Sequence, residues 1–348
     1  MNDVLFEQRG ALGLITLNRP KALNALTRDM CLATNAQLAA WARDDGIKTV
    51  AIRGTGERAF CAGGDIRTLY DAGKAGAPEA LKFYRDEYRL NAAIKHFPKP
   101  YVALLHGIVM GGGVGVSVHG SHRVANETVM FAMPETGIGL FPDVGGSYFL
   151  PRCPGELGIY LALTGARLTT ADTLYAGVAT HFVPARDTEA LLSALEAGTD
   201  PDMALRSFSE TPAEPQLASV REAIDRTFAE DSLDGILAAL EADGGEWAVK
   251  TLSTLRGKSP TSLKITFLQM REGARLSFDD CMRMEFRLVS RVMAGHDFYE
   301  GVRAAIIDKN NAPRWNPAAL ADVSSAEIES YFAPLGAGEL TLDERRTG

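Results

Sequence analysis

Residues 101–115 read YVALLHGIVMGGGVG. An unbroken run of Val, Ala and Leu of strand length is what a buried strand of an α/β sheet requires. The glycines of MGGGVG (110–115) follow it and precede a helical pattern over 112–119. Such glycines let backbone N–H groups approach a ligand, and a helix start adds partial positive charge, so the loop can hold an oxyanion. A tight strand-to-helix turn, or close packing of helix on sheet, accounts for the same glycines. The run does not fit GxGxxG, since the residue three beyond Gly115 is Val118, and no dinucleotide site is expected.

Working outward, TVAIRG (49–54) is a second strand, followed by a second glycine loop, FCAGGD (60–65). Two glycine loops after two strands of one sheet can supply two N–H donors to one oxygen, the requirement for stabilising a tetrahedral or enolate oxyanion. VLFEQRG and LGLITLN form a hairpin at the start, a helix spans about 24–41, and HRVAN (122–126) and VMFAMPE (129–135) are further strands. Helices are expected over 78–96 and 112–119. This alternation gives an α/β core over residues 1–200. From 201 to 335 the pattern is helical, with Ser259–Pro260 as one helix start and Ser277 with Asp280 as another. Met282, Phe286, Val289 and Met293 recur on one face of the latter helix. Residues 336–348 are expected to fray.

With 36 Lys and Arg against 44 Asp and Glu, the net charge is −8, the opposite of a nucleic-acid footprint. Four scattered cysteines with no CxxC pair suggest neither a disulfide framework nor a zinc site. No run is long and apolar enough to span a bilayer. MNDVLFEQRG shows no basic-then-apolar leader and no Arg-rich amphipathic one, so a soluble, cytoplasmic protein is expected. His119 and His122 lack a third ligand nearby and read as structural, and Cys61 as a small buried thiol.

Three carboxylates stand where apolar neighbours would exclude them. Glu87 interrupts the stripe Ala80, Phe83, Leu90, Ile94, so it is either paired with a buried cation or directed into a ligand cavity. Glu135 follows Pro134 at a strand end, and Asp143 follows Pro142 before a Gly-Gly pair. Strand ends and their loops are where a rigid scaffold carries catalytic groups, although turn-capping acids would look the same. If both face one cavity, their ionisation is coupled and one pKa is raised.

In this order LNRPKALNALT (17–27), FCAGGDI (60–66), HGIVMGGGVG (106–115) and FAMPETGIGLFPDVGG (131–146) resemble the crotonase, or enoyl-CoA hydratase/isomerase, superfamily. SPTSLKITFLQMREG (259–273) and GHDFYEGVRAAIIDKNNAPRW (295–315) are similar to its 3-hydroxyisobutyryl-CoA hydrolase branch, so the resemblance covers nearly the whole chain. It implies a spiral of ββα units followed by a C-terminal helical region. It implies an oxyanion hole from the N–H groups of Gly64 and Gly112, with catalysis by Glu135 and Asp143. Glu87, Ala62 (through both its N–H and its carbonyl), Lys21, Ala22, Leu23 and Ala25 would contact the substrate. The expected reaction is hydrolysis of a short 3-hydroxyacyl-CoA thioester, with CoA arriving as part of the substrate and neither metal nor cofactor implied. The partner is then the acyl-CoA alone, with no nucleic acid and no membrane, and relatives that form trimers or hexamers leave room for a homo-oligomer. Hydratases carry a glutamate three residues after the oxyanion glycine, where this chain has Gly115, while isomerases keep their acid at the place of Asp143. An isomerase or hydratase acting on an unsaturated acyl-CoA is therefore the alternative.

Overall fold

The N-terminal hairpin pairs β1 (Val4–Arg9) with β2 (Leu12–Leu17), Val4 opposite Leu17 and Arg9 opposite Leu12. In the computed structural model, which describes residues 2–76 and 78–342, β2 then runs parallel to β3 (Thr49–Gly54). The sheet continues through β5 (Tyr101–Leu105), β7 (His122–Ala125) and β9 (His181–Phe182), in the order β1-β2-β3-β5-β7-β9. Leu12 and Leu14 join Ala51, Val102, Leu104 and Val124 in a core closed by Leu191, Leu192, Leu195, Ala204 and Leu205 of the helices Thr188–Glu196 and Pro201–Phe208. Gly13, between the two leucines, faces the other way, and a side chain there would meet the Trp41 ring at 2.9 Å. Trp41 belongs to α1 (Arg28–Arg43), so β2 is covered on both sides and reads as a continuous apolar run.

A second sheet was not visible as such in the sequence. β4 (Ala59–Cys61), β6 (Ile108–Met110) and β8 (Met130–Ala132) pair in parallel, each three residues long. The glycine loops therefore continue from β4 and β6, not from TVAIRG and YVALLHG. The helix expected from residue 24 begins at Arg28, because Leu23 and Asn24 both have positive φ (53° and 56°) and break the chain before it. The helix expected over 112–119 is α4 (Gly112–Gly115), followed by turns.

The chain divides differently from the expected 1–200 and 201–335. One compact unit holds residues to Asp65, Arg89–Ala132 and Arg167–Gln216 and contains both sheets. The other holds Ile66–Tyr88, Met133–Ala166 and the chain from Leu217. The reason lies in how the 133–166 segment packs. A side chain at Gly273 would strike the Ser147 carbonyl at 2.0 Å, one at Gly139 the Asp297 backbone at 2.2 Å, and one at Gly301 the Ile138 backbone at 2.4 Å. The C-terminal helices thus close on that stretch backbone to backbone. Both helix starts read from sequence are present: Ser259 accepts from the Ser262 N–H, and Ser277 from that of Asp280. The expected fraying is corrected for 336–342, where Gly336–Gly338 forms a turn, Glu339 pairs with Arg287 at 2.8 Å and Leu340 is buried; residues 343–348 lie outside the described ones.

Candidate active site

In the sheet-bearing unit, the segment Arg19–Ala25 is strapped to the loop after β4. Ala62 donates to the Leu23 carbonyl at 3.0 Å, Leu26 to Gly63 at 2.8 Å, and Asp65 to Leu26 at 2.9 Å. Arg19 bonds the Ala25 carbonyl and pairs with Asp65 at 3.0 Å, while the buried Asn24 amide donates to Thr55 and Ala59. This corrects one expectation: the Ala62 N–H is already spent on Leu23, and only its carbonyl is left for a ligand. Lys21 and Ala22 are exposed in the short turn Pro20–Ala22, with Leu23 and Ala25 half-buried beside them.

Leu26 and Gly64 form a parallel bridge in which the Leu26 strand bonds Gly63 and Asp65. The N–H of Gly64 therefore points away from that strand. Gly112 opens α4, so its N–H has no acceptor within the helix. The two loops meet: a side chain built at Gly63 (φ +117°) would lie 3.9 Å from the Gly112 nitrogen, and one at Gly113 would collide with the Cys61 carbonyl at 2.2 Å. Only glycine permits this approach. Cys61 is fully buried, as expected of a small core thiol.

In the other unit, Glu87 lies within α3 (Glu79–Lys95; α2 being Ile66–Lys74), Glu135 opens the turn Glu135–Ile138, and Asp143 lies in the loop beyond. All three are buried. Asp143 accepts from the Tyr88 hydroxyl at 2.9 Å. One oxygen each of Glu87 and Glu135, and the Tyr84 hydroxyl, have no hydrogen-bond partner. Unsatisfied buried polar atoms are costly, and a polar ligand received there would satisfy them.

Burial raises the Glu135 carboxyl well above its usual range, and the Asp143 charge adds to this, with Lys258 in opposition. Burial, then Asp143 and Glu135, raise Glu87 in the same direction. Asp143 is pushed up to about 7 by burial, restrained by the Tyr88 hydrogen bond. Tyr84 and Tyr88 are driven upward by burial and by Asp143, so both stay neutral donors. Lys258, half-buried, is lowered by burial and raised by Glu135.

Sequence reasoning missed Tyr84, Tyr88, Lys258 and Glu285. Tyr84 lies three residues before Glu87 and four before Tyr88, both helical spacings, so the tyrosines form a second stripe beside the apolar one that was read. Glu285 is fully buried inside the Met282–Phe286–Val289 face, the same signature that singled out Glu87. It accepts from the N–H groups of Gly145 (2.8 Å) and Ser147 (2.9 Å) and from the Ser147 hydroxyl (2.5 Å). Burial pushes it up to about 8 against those three donors. Between Asp143 and Gly145, Val144 is held at φ +50°. A β-branched residue in the left-handed region costs about 1–2 kcal/mol, strain that the surroundings must maintain.

These carboxyls predict a pH dependence of stability. Asp143 keeps its proton to about pH 7 when folded, against an ordinary value of 3.8. Between those values the folded state binds more protons than the unfolded one, so stability falls as pH rises through the window and the full penalty stands above it. Asp143→Asn is expected to raise Tm by about 2–4 °C at pH 8 and to change it little at pH 4. Thermal denaturation at the two pH values checks this, and an equal gain at both would contradict it.

Among the described residues no group of three or more His, Cys, Asp or Glu could hold a metal ion, and no helix is long and apolar enough to cross a membrane. Residues 12–332 match the family model described as Enoyl-CoA hydratase/isomerase. The chain is 52% identical to the 3-hydroxyisobutyryl-CoA hydrolase, mitochondrial, of Danio rerio, over 98% of this chain and 92% of that one. It is 46% identical to the protein of the same name from Homo sapiens, over 97% and 90%. A solved carnitinyl-CoA dehydratase from Mycobacterium thermoresistibile superposes with a TM-score of 0.94 at 44% identity, covering 99% of this chain and all of that one. Both hydrolases are named mitochondrial, which overturns the cytoplasmic location expected from the sequence. With paired glycine loops, buried acids and a match along almost its whole length, this chain belongs to the enoyl-CoA hydratase/isomerase family.

Proposed function

We propose that the chain hydrolyses 3-hydroxyisobutyryl-CoA to 3-hydroxyisobutyrate and CoA, a step of valine breakdown. The full-length similarity to hydrolases of that name supports the reaction. The observation that carries the chemistry is the cluster of buried acids, with Glu135 and Glu87 each keeping an unpartnered oxygen. The N–H groups of Gly64 and Gly112 would take the thioester oxygen as it becomes negative. Glu135 either attacks the carbonyl carbon to give a mixed anhydride, which water then opens, or removes a proton from attacking water. On either route a C–O bond forms, the C–S bond breaks and the departing thiolate takes a proton, which Asp143 would relay. No oxidation state changes, so the reaction calls for no redox cofactor, and CoA enters within the substrate.

Glu87 and Tyr84 would bind the 3-hydroxyl, supplying an acceptor and a donor that otherwise stay unsatisfied. A site built to hydrogen-bond a hydroxyl rejects the analogue lacking it strongly. Isobutyryl-CoA should therefore show kcat/KM about 10²–10⁴-fold below 3-hydroxyisobutyryl-CoA, and Tyr84→Phe should narrow that gap about tenfold. Equal rates for the two thioesters would remove the hydroxyl from the account.

The likeness to a solved dehydratase raises a second reading, addition or removal of water at a carbon–carbon bond. Gly115 weighs against it, since it stands where hydratases carry one of their two glutamates.

A further inference from the structure

We infer that Glu285 is a positioning residue for the reaction, holding the 143–147 turn in the one conformation that aims the Asp143 carboxylate. This rests on the reading above that Asp143 takes part in catalysis. Glu285 is far along the chain from that turn, on the helix Phe278–Val292, and is completely buried. Its two oxygens take three hydrogen bonds, all from the turn: one from the Gly145 N–H, and two from Ser147, backbone and hydroxyl. A core carboxylate is a costly way to fill space, and its bonds converge on two residues just past Asp143.

The turn needs such a clamp. Val144 sits at φ +50° and Gly145 at φ +88°, so two consecutive residues hold left-handed backbone and one of them is β-branched. Left to itself, Val144 would relax to negative φ, swinging the peptide that joins it to Asp143. Two further bonds fix the near side: Gln269 donates to the Pro142 carbonyl at 2.7 Å, and Tyr88 to the Asp143 carboxylate at 2.9 Å. Glu285 is the anchor on the far side. In Glu285→Gln the amide nitrogen would face an N–H donor, so at least one bond is replaced by a repulsion.

The experiment measures kcat and KM for thiol release from 3-hydroxyisobutyryl-CoA, together with circular dichroism and Tm, for Glu285→Gln, Val144→Gly/Glu285→Gln and Asp143→Asn. Glu285→Gln should lower kcat about 10- to 100-fold with KM within about threefold. Adding Val144→Gly should recover at least about fivefold of that loss, because glycine adopts the left-handed turn without strain. A purely structural role would lower Tm but give neither the kcat-only effect nor the rescue. Full kcat in a folded Glu285→Gln, or no rescue by Val144→Gly, overturns the inference. If Asp143→Asn itself keeps full activity, the reading of Asp143 fails instead, which separates the two. Should Glu285→Gln not fold, Ser147→Ala removes only the hydroxyl donor: a several-fold fall in kcat at constant KM is expected, and an unchanged kcat overturns the proposal.

Discussion

Glu135→Gln is expected to lower kcat for thiol release from 3-hydroxyisobutyryl-CoA by about 10³-fold or more, with KM changed only a few-fold. The amide is nearly isosteric, so packing around the turn Glu135–Ile138 is kept. What is lost is the basic oxygen. Both routes need it, as nucleophile in one and as proton acceptor in the other, so the size of the effect does not depend on which operates. Gln also removes the stability penalty that goes with the raised Glu135 carboxyl, so at neutral pH the variant is expected to be at least as stable as the wild type. A folded Glu135→Gln with near-normal turnover would remove Glu135 from the mechanism.

Asp143→Asn should cost about 10²-fold in kcat and change the shape of the pH profile. Asp143 is held at about 7, and its charge raises Glu135 further. Two nearby acids with separated affinities can share the tasks of acid and base at neutral pH. The wild-type profile should therefore carry an inflection near pH 7 that Asp143→Asn abolishes. Tyr88→Phe should move it to higher pH, because the Tyr88 hydrogen bond is what pulls Asp143 down. Since the acids act as a unit, the double variant Glu135→Gln/Asp143→Asn should be scarcely slower than Glu135→Gln alone. Kinetics over pH 5–9 on the wild type and the four variants checks all three points, and additive losses would mean that the two acids work independently.

Much of this was legible in the sequence, for reasons that are local. The hairpin, β3 and the capping serines at 259 and 277 each follow from period, turn residues or a side chain within three positions. The glycine loops were legible because a backbone that must approach another backbone tolerates no Cβ. Glu87 was legible because a charge on an apolar stripe has few explanations. Glu285 carried the same mark and was passed over beside the helix's apolar face.

What was not legible depends on distant partners. Strands of three residues, such as β4 and β6, are too short to show a period, and only their pairing defines them. The bond from Ser147 to Glu285 joins residues 138 positions apart, and that from Gln269 to Pro142 spans 127. These long connections draw residues 133–166 into one unit with the C-terminal helices, which no composition shift near residue 200 could announce. The positive φ of Leu23 and Val144 was equally hidden, since both residue types ordinarily avoid that region and are held there by their neighbours.

The central claim is that this family member cleaves a thioester. The most direct measurement follows free CoA thiol released by the purified chain from 3-hydroxyisobutyryl-CoA, beside the loss of the conjugated double bond of crotonyl-CoA under the same conditions. The account predicts rapid thiol release from the first and no hydration of the second. Hydration of crotonyl-CoA, with no thiol released from 3-hydroxyisobutyryl-CoA, would contradict it.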